Sequence, residues 1–256
     1  MSESQAPLTK RIEFLIHSLR TRHGRKNFPS CVCDGLRCSS EIAHLAPHLI
    51  EHVLLREDTV LPFSVPVSPV VLSREEFERI APTVNSQGII VVSRKPEYVS
   101  LSTPLEDPFV LVLDRVGDPG NFGTILRTAR AVGLHEVWFT KGSADPFSDK
   151  VLRSASGAQY AVKLRKCDDL ESMAASLRKL GIQSFFRTLP ASGNNIFLQK
   201  ELFNHSAIIL GAEANGVGEL ERSNGLNIPM PGDAESLNVA QAATVILFEY
   251  VRRQFC

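Results

Sequence analysis

Residues 111–133, LVLDRVGDPGNFGTILRTARAVG, decide the fold of this chain. The β-preferring apolar run 109–113 closes on Asp114, a loop carrying Gly117, Pro119, Gly120 and Gly123 follows, and a helical pattern then runs to Gly133. The stretch predicts strand, tight loop, helix. Asn121 is placed to cap the helix, and Ile125, Leu126, Ala129 and Val132 recur at helical spacing as its buried face. Arg127 and Arg130 fall on or near the polar side. Such a loop lets backbone approach a ligand while a cation is held one to two turns beyond it. Taken alone, the same residues also describe an ordinary strand-to-helix turn with surface arginines.

Downstream, strand and helix alternate strictly. Strands are expected at 136–140, 182–186, 207–210 and 226–229, and helices at 149–154, 168–180 and 237–253. That order is the signature of an α/β fold with a parallel sheet and helices on both faces. Ligands bind such sheets at the carboxyl ends of the strands. Two loops there are long and Gly-bearing and carry an acid or an amide: GAEANGVG (211–218) and MPGDAESLN (230–238).

Upstream, helices are expected at 8–19, 39–45 and 73–80, the last opened by a Ser73/Glu76 capping box. Strands are expected at 29–33, 52–55, 67–72 and 88–92, which makes residues 1–95 a small α/β domain. Periodicity fails across 96–108, where prolines and hydroxyl residues accumulate, so a linker is placed there and a second domain at 109–256.

Composition narrows the classes. The chain has 256 residues, 43% hydrophobic and 22% charged, enough for one large or two modest domains and unlike a disordered chain. No apolar signal core opens it and no long apolar window interrupts it, so the cytoplasm is the expected compartment. With 28 basic and 28 acidic residues, net charge gives no argument for a nucleic-acid partner, and local clusters must carry it. Lys10, Arg11, Arg20, Arg22, Arg25 and Lys26 face one acid, Glu13; Lys163, Arg165 and Lys166 form a second cluster. A charge run in isolation is more often a solvated face.

Five cysteines argue against a disulfide framework. Cys31, Cys33, Cys38, His44 and His48 lie close together, but Cys-x-Cys in a strand is tighter spacing than zinc sites use and Pro47 breaks the helix that would present the histidines, so no metal is expected. A nicotinamide-dependent oxidoreductase also opens on strand, Gly-rich loop and helix. However, Gly117, Gly120 and Gly123 do not give Gly-x-Gly-x-x-Gly, and the second strand runs into Lys141 where an acid should meet the ribose.

Three segments together resemble the SpoU (TrmH) family of RNA 2′-O-ribose methyltransferases. They are DPGNFGTILRTARAVG (118–133), IILGAEANGVG (208–218) and IPMPGDAESLNVAQAATVILFEYVRR (228–253). The intervening DKVLRSASGAQYAVKL (149–164), with Arg153, resembles the family's basic segment. The resemblance covers the C-terminal domain. More loosely, residues 1–95 resemble the small ribosomal-protein-like RNA-binding domain that some members carry. Residues 220–226 are shorter than the family pattern, so a helix there is expected to be truncated.

The resemblance implies a SPOUT-type fold, its C-terminal segment threaded into a trefoil knot, with S-adenosylmethionine as cofactor. It places Leu210, Gly211, Ile228, Met230, Ser236 and Leu237 around the cofactor. It makes Arg127, Asn121, Glu213, Ser236 and Asn238 the catalytic set, with Arg127 acting on the ribose hydroxyl and phosphate. Arg20, Arg22, Arg25, Lys26 and Arg153 are the candidate RNA contacts. Glu213 in its GAE setting favours the subgroup that modifies guanosine in rRNA; a tRNA methyltransferase and an inactive RNA-binding relative are the alternatives. The helix at 237–251 is apolar nearly all round, with Val239, Ala242, Val245, Ile246, Phe248, Tyr250 and Val251 covering more than one face. It predicts a homodimer.

Overall fold

The apolar runs gather into two sheets. The structure, a computed structural model, describes residues 8–189, 192–212 and 216–255. Helices α1 (Lys10–Leu19) and α2 (Arg22–Asn27) precede β1 (Ser30–Asp34), α3 (Leu36–Leu45), β2 (Ile50–Arg56), β3 (Val70–Leu72), α4 (Arg74–Ile80) and β4 (Ile89–Arg94). Next come β5 (Phe109–Asp114), α5 (Pro119–Ala131), β6 (Glu136–Thr140), α6 (Asp149–Ala155), β7 (Lys163–Cys167) and α7 (Leu170–Lys179). The chain continues through β8 (Ser184–Thr188), β9 (Asn194–Asn195), β10 (Ser206–Gly211), β11 (Asn224–Asn227) and α8 (Val239–Phe255).

Contacts divide the chain into two compact units, one of Met1–Pro96 with Asp145–Tyr160, the other of Glu97–Ala144 with Ala161–Cys256. The expected block 109–256 is therefore broken once: α6 and the turn after it pack on β1 and α3 of the first unit. Val151, Leu152 and Ala155 are the apolar face that α6 buries. The expected linker 96–108 is fixed to the second unit, for Arg165 donates to the carbonyls of Ser100, Thr103 and Pro104.

In the first unit the sheet order is β1-β4-β2-β3. β4, apolar from Ile89 to Val92, lies inside it, antiparallel to β1 and β2, while β3 pairs parallel with β2. Ile16 and Leu19 of α1 and Phe77 and Ile80 of α4 bury one face against Val32, Leu54, Ile90 and Val92. The Ser73/Glu76 capping box is present. Cys33 is joined to Cys38, while Cys31 is buried and free, its thiol pushed up to about 11 by burial.

In the second unit seven strands run parallel in the order β7-β6-β5-β10-β8-β11-β9. β5 and β10 are buried along their whole length, as central parallel strands covered on both faces must be. Alternate residues face opposite layers. Val110, Val112 and Ile209 meet Met173 and Leu177 of α7, whereas Phe109 packs on Tyr250 of α8 and Phe139 on Phe122 of α5. Cys167 is buried in the first of these layers and burial pushes its thiol up to about 12.

β7 corrects the reading of Lys163, Arg165 and Lys166 as a solvated face. Arg165 is 1% exposed and its guanidinium is spent on Glu136 of β6 and on the three carbonyls of 100–104. As expected, no helix forms across 220–226; a turn at 221–222 leads directly into β11. β11 lies between β8 and β9 in the sheet and pairs with both. Backbones nearly touch beside it. Gly193 has φ +122°, and a Cβ there would come within 2.5 Å of the Gly225 carbonyl carbon, so only glycine fits.

Candidate active site

The first loop is capped differently from the expectation. Asp118, not Asn121, is the N-cap of α5: Pro119 occupies the first helical position, and Asp118 Oδ1 accepts from the Asn121 N–H at 2.8 Å. The Asn121 side chain is thereby left for another task. Its Oδ1 accepts from Asn238 Nδ2 at 3.1 Å, joining two residues 117 positions apart. Asn238 Oδ1 in turn accepts from the N–H groups of Ala240 (2.9 Å) and Gln241 (3.4 Å), so one amide caps α8 and ties it to the first turn of α5. Two of the predicted catalytic residues thus meet.

Arg127 lies two turns along α5 and is exposed, with no ion pair or hydrogen bond among the described residues. A cation left in water by its own chain remains available to an outside phosphate or oxyanion. Glu213 lies outside the described residues.

A cleft opens at the carboxyl ends of β8, β10 and β11. Leu210, Gly211, Ile228, Met230, Ser236 and Leu237, the six residues expected around a cofactor, all line it. Thr188, Leu189, Ala212, Gly216, Leu226, Val239 and Ala242 complete the wall. Sequence reading missed Thr188 and Leu189 because they lie just past the strand expected at 182–186, and Val239 and Ala242 because they read as helix core. The chemistry is apolar side chains beside bare backbone at Gly211, Ala212 and Gly216. At Gly211 a Cβ would lie 2.2 Å from the Gly216 carbonyl carbon, so the two loop ends close on each other only because glycine stands there. Such a lining suits a purine held by apolar contact and backbone hydrogen bonds, and the adenosyl group of S-adenosylmethionine fits that donor set.

The predicted RNA contacts divide. Arg20 is exposed in the turn after α1, and Arg22 and Lys26 are exposed on α2. Arg25 is corrected: it is 8% exposed, its Nε donates to Asp145 at 2.7 Å and its Nη1 to the Leu19 carbonyl at 2.9 Å, so it is buried holding the first unit together and not presented to an outside phosphate. Arg153 is part-exposed and pairs with Asp149 one turn back at 2.9 Å. Among the described residues no group of three or more His, Cys, Asp or Glu could hold a metal ion, and no helix is long and apolar enough to cross a membrane.

Residues 108–248 match the model of the SpoU rRNA Methylase family. The chain is 32% identical over 236 residues to the 23S rRNA (guanosine(2553)-2′-O)-methyltransferase RlmP of Bacillus subtilis, covering 90% of this chain and 92% of that one. It is 33% identical to the 23S rRNA (guanosine-2′-O-)-methyltransferase RlmB of Vibrio cholerae over 72% of this chain and 77% of that one. Among solved structures, the AdoMet-bound rRNA methyltransferase from Sinorhizobium meliloti superposes with a TM-score of 0.81 at 26% identity, covering 98% of this chain and 97% of that one. Motif order, cleft and matched span agree, and the chain belongs to the SpoU rRNA methylase family.

Proposed function

We propose that this protein is an S-adenosylmethionine-dependent methyltransferase that modifies a ribose 2′-hydroxyl in ribosomal RNA. The observation that carries the proposal is the cleft, lined by all six expected cofactor residues, beside the Asn121–Asn238 bond that joins the first and third motifs. The match over nine-tenths of an rRNA guanosine methyltransferase supports the substrate class.

When bound, S-adenosylmethionine supplies an electrophilic methyl group on a sulfonium. The chain must then hold the hydroxyl in line with it and stabilise the negative charge that develops on oxygen. Arg127 serves that second purpose. A guanidinium with a pKa above about 12 stays protonated, so it acts as a cation beside the phosphate and emerging alkoxide and not as the base. Asn121 and Asn238 hold the first and third loops in register, Ser236 lines the cleft, and the family resemblance gives Glu213 the role of orienting Arg127.

The placement of β11 between β8 and β9 supports a trefoil knot around the cleft, with Gly193 and Gly225 in close approach. The first unit binds RNA through Arg20, Arg22 and Lys26. The enzyme works as a homodimer in the cytoplasm. Dimerisation is supported by α8, whose Phe248 and Phe255 are 51% and 84% exposed although Ile246 and Leu247 of the same helix are fully buried. A second subunit would cover that face and bring Arg127 of one subunit to the cleft of the other. The test is to map 2′-O-methylation across ribosomal and transfer RNAs from cells with and without the protein. Loss of one rRNA methyl group is expected; an unchanged rRNA map would refute the substrate.

A further inference from the structure

The cleft depends on where the second motif loop ends, and that end is gripped from both sides. Gly218 donates its N–H to Asp114 Oδ2 at 3.0 Å, and its carbonyl accepts from Arg187 Nη1 at 3.1 Å. Asp114 closes β5 and is 2% exposed. Its Oδ1 accepts from Thr140 Oγ1 at 2.8 Å, and that hydroxyl in turn accepts from the Arg115 N–H at 3.0 Å. The Arg115 guanidinium pairs with Oδ2 at 2.9 Å. Arg187, on β8, spends its Nε on Ser223 Oγ at 2.8 Å, and Ser223 donates to the Leu220 carbonyl.

Gly218 is seated deeply: a Cβ there would meet Leu170 Cδ1 at 3.0 Å, Arg115 Nη2 at 3.1 Å and Asp114 Oδ2 at 3.4 Å. Two residues earlier, Gly216 donates to the Ala212 carbonyl at 2.8 Å, and both residues line the cleft. Neither Asp114 nor Arg187 does. Two charged side chains from strands on either side of β10 therefore spend hydrogen bonds on one backbone unit just beyond the ligand-facing backbone.

We propose that Asp114 and Arg187 are positioning residues of the cofactor site, clamping Gly218 so that the backbone of Gly211, Ala212 and Gly216 is set before the ligand arrives. The inference rests on the cofactor reading above. Fixing these loop ends in the free protein removes an ordering cost that binding would otherwise carry. Releasing them puts that cost back into affinity.

The test uses the full-length protein with Asp114→Ala and Arg187→Met, and S-adenosylhomocysteine as the probe, titrated calorimetrically. Each variant should bind about tenfold more weakly, the lower range for a hydrogen bond to a charged group. Amide exchange at 216–218 should quicken in the free variants, and KM for the cofactor should rise far more than kcat falls. Arg187→Met, which leaves the buried Asp114 network whole, should melt close to the unaltered protein. Unchanged affinity in both variants would overturn the clamp, as would an affinity loss that merely tracks a collapse of the melting transition in both. Failure of the unaltered protein to bind would instead overturn the cofactor reading, and the clamp with it.

Discussion

Arg165→Met tests the energetics of the second unit at its most heavily bonded side chain. Arg165 donates to Glu136 Oε2 from Nε at 2.8 Å and Nη2 at 2.5 Å, to the Ser100 and Thr103 carbonyls from Nη1 at 2.8 and 2.7 Å, and to the Pro104 carbonyl from Nη2 at 3.0 Å. Its guanidinium also lies 5.0 Å from the Trp138 ring centroid. Methionine keeps most of the packing volume and removes every donor. Glu136, 1% exposed, would then be left with one long bond from Trp138 Nε1 at 3.3 Å. Stranding one partner of a buried pair costs about 3–5 kcal/mol, which for a chain of this size lowers Tm by roughly 10 °C. Trp138 is the only tryptophan in the sequence, so its fluorescence follows melting of the second unit specifically. Adding Glu136→Leu should recover part of the loss, since an apolar pair replaces an uncompensated carboxylate, and affinity for S-adenosylhomocysteine should not move because neither residue lines the cleft or bonds to the loops that do. A loss below about 1 kcal/mol for the single variant, or a double variant no more stable than the single, would refute the reasoning.

Arg127→Ala should abolish methyl transfer while leaving cofactor affinity nearly intact; loss of S-adenosylmethionine binding would remove the role given to it. If the site is shared across a dimer, mixing inactive Arg127→Ala with inactive Asn238→Ala under subunit exchange should restore about a quarter of the sites, and demonstrated exchange without activity would place Arg127 in its own subunit's site. Replacing Arg20, Arg22 and Lys26 together should weaken RNA binding and flatten its salt dependence without touching cofactor affinity; an unaltered salt slope returns them to a solvated face. Hydrogen bonds from Arg252 and Arg253 hold Glu249 down from 4.5 to about 2, so its stabilisation is complete above pH ~4.5 and fades as pH falls toward ~2. With Arg252 largely exposed, about 2 kcal/mol of that remains, so Glu249→Gln should melt below the unaltered protein at pH 7, with the gap narrowing on acidification; a gap that widened would contradict the sign.

What the sequence disclosed follows from where each residue finds its partners. β5 and β10 are continuous apolar runs because both faces are covered, and such runs are visible without knowing what covers them. The Ser73/Glu76 box was legible for the same reason: both partners lie within one helical turn. The six cleft residues were legible through the resemblance, since their types and order are those of the family's second and third motifs. Arg25 was misread because its partner, Asp145, is 120 positions away, and a local count of charges registers only its neighbours. Arg165 was misread likewise, with Glu136 29 positions away and the accepting carbonyls more than sixty. β7 hid because charged residues alternate with its apolar ones, the pattern of a sheet's outermost strand as much as of a solvated loop.

The misplaced cap at Asn121 bears most directly on function. Asn121 and Asp118 are both good capping residues, and the position of Pro119 decides between them: a residue without an N–H is best accommodated at the first helical position, which puts the cap at Asp118. That shift of three residues converts Asn121 from a group consumed by its own helix into one whose amide reaches Asn238. Asn238 has also exchanged a local role for a dual one, capping α8 with its oxygen and bonding α5 with its nitrogen. The first and third motifs are therefore joined by side chains that local rules alone would have assigned to helix ends. A substitution at either amide should release the α5–α8 junction and the cleft wall at Leu237 and Val239 together. Asn121→Asp, which keeps the acceptor that Asn238 Nδ2 needs, should preserve cofactor affinity better than Asn121→Leu, and equal losses in the two would show that the 3.1 Å bond does not couple the motifs.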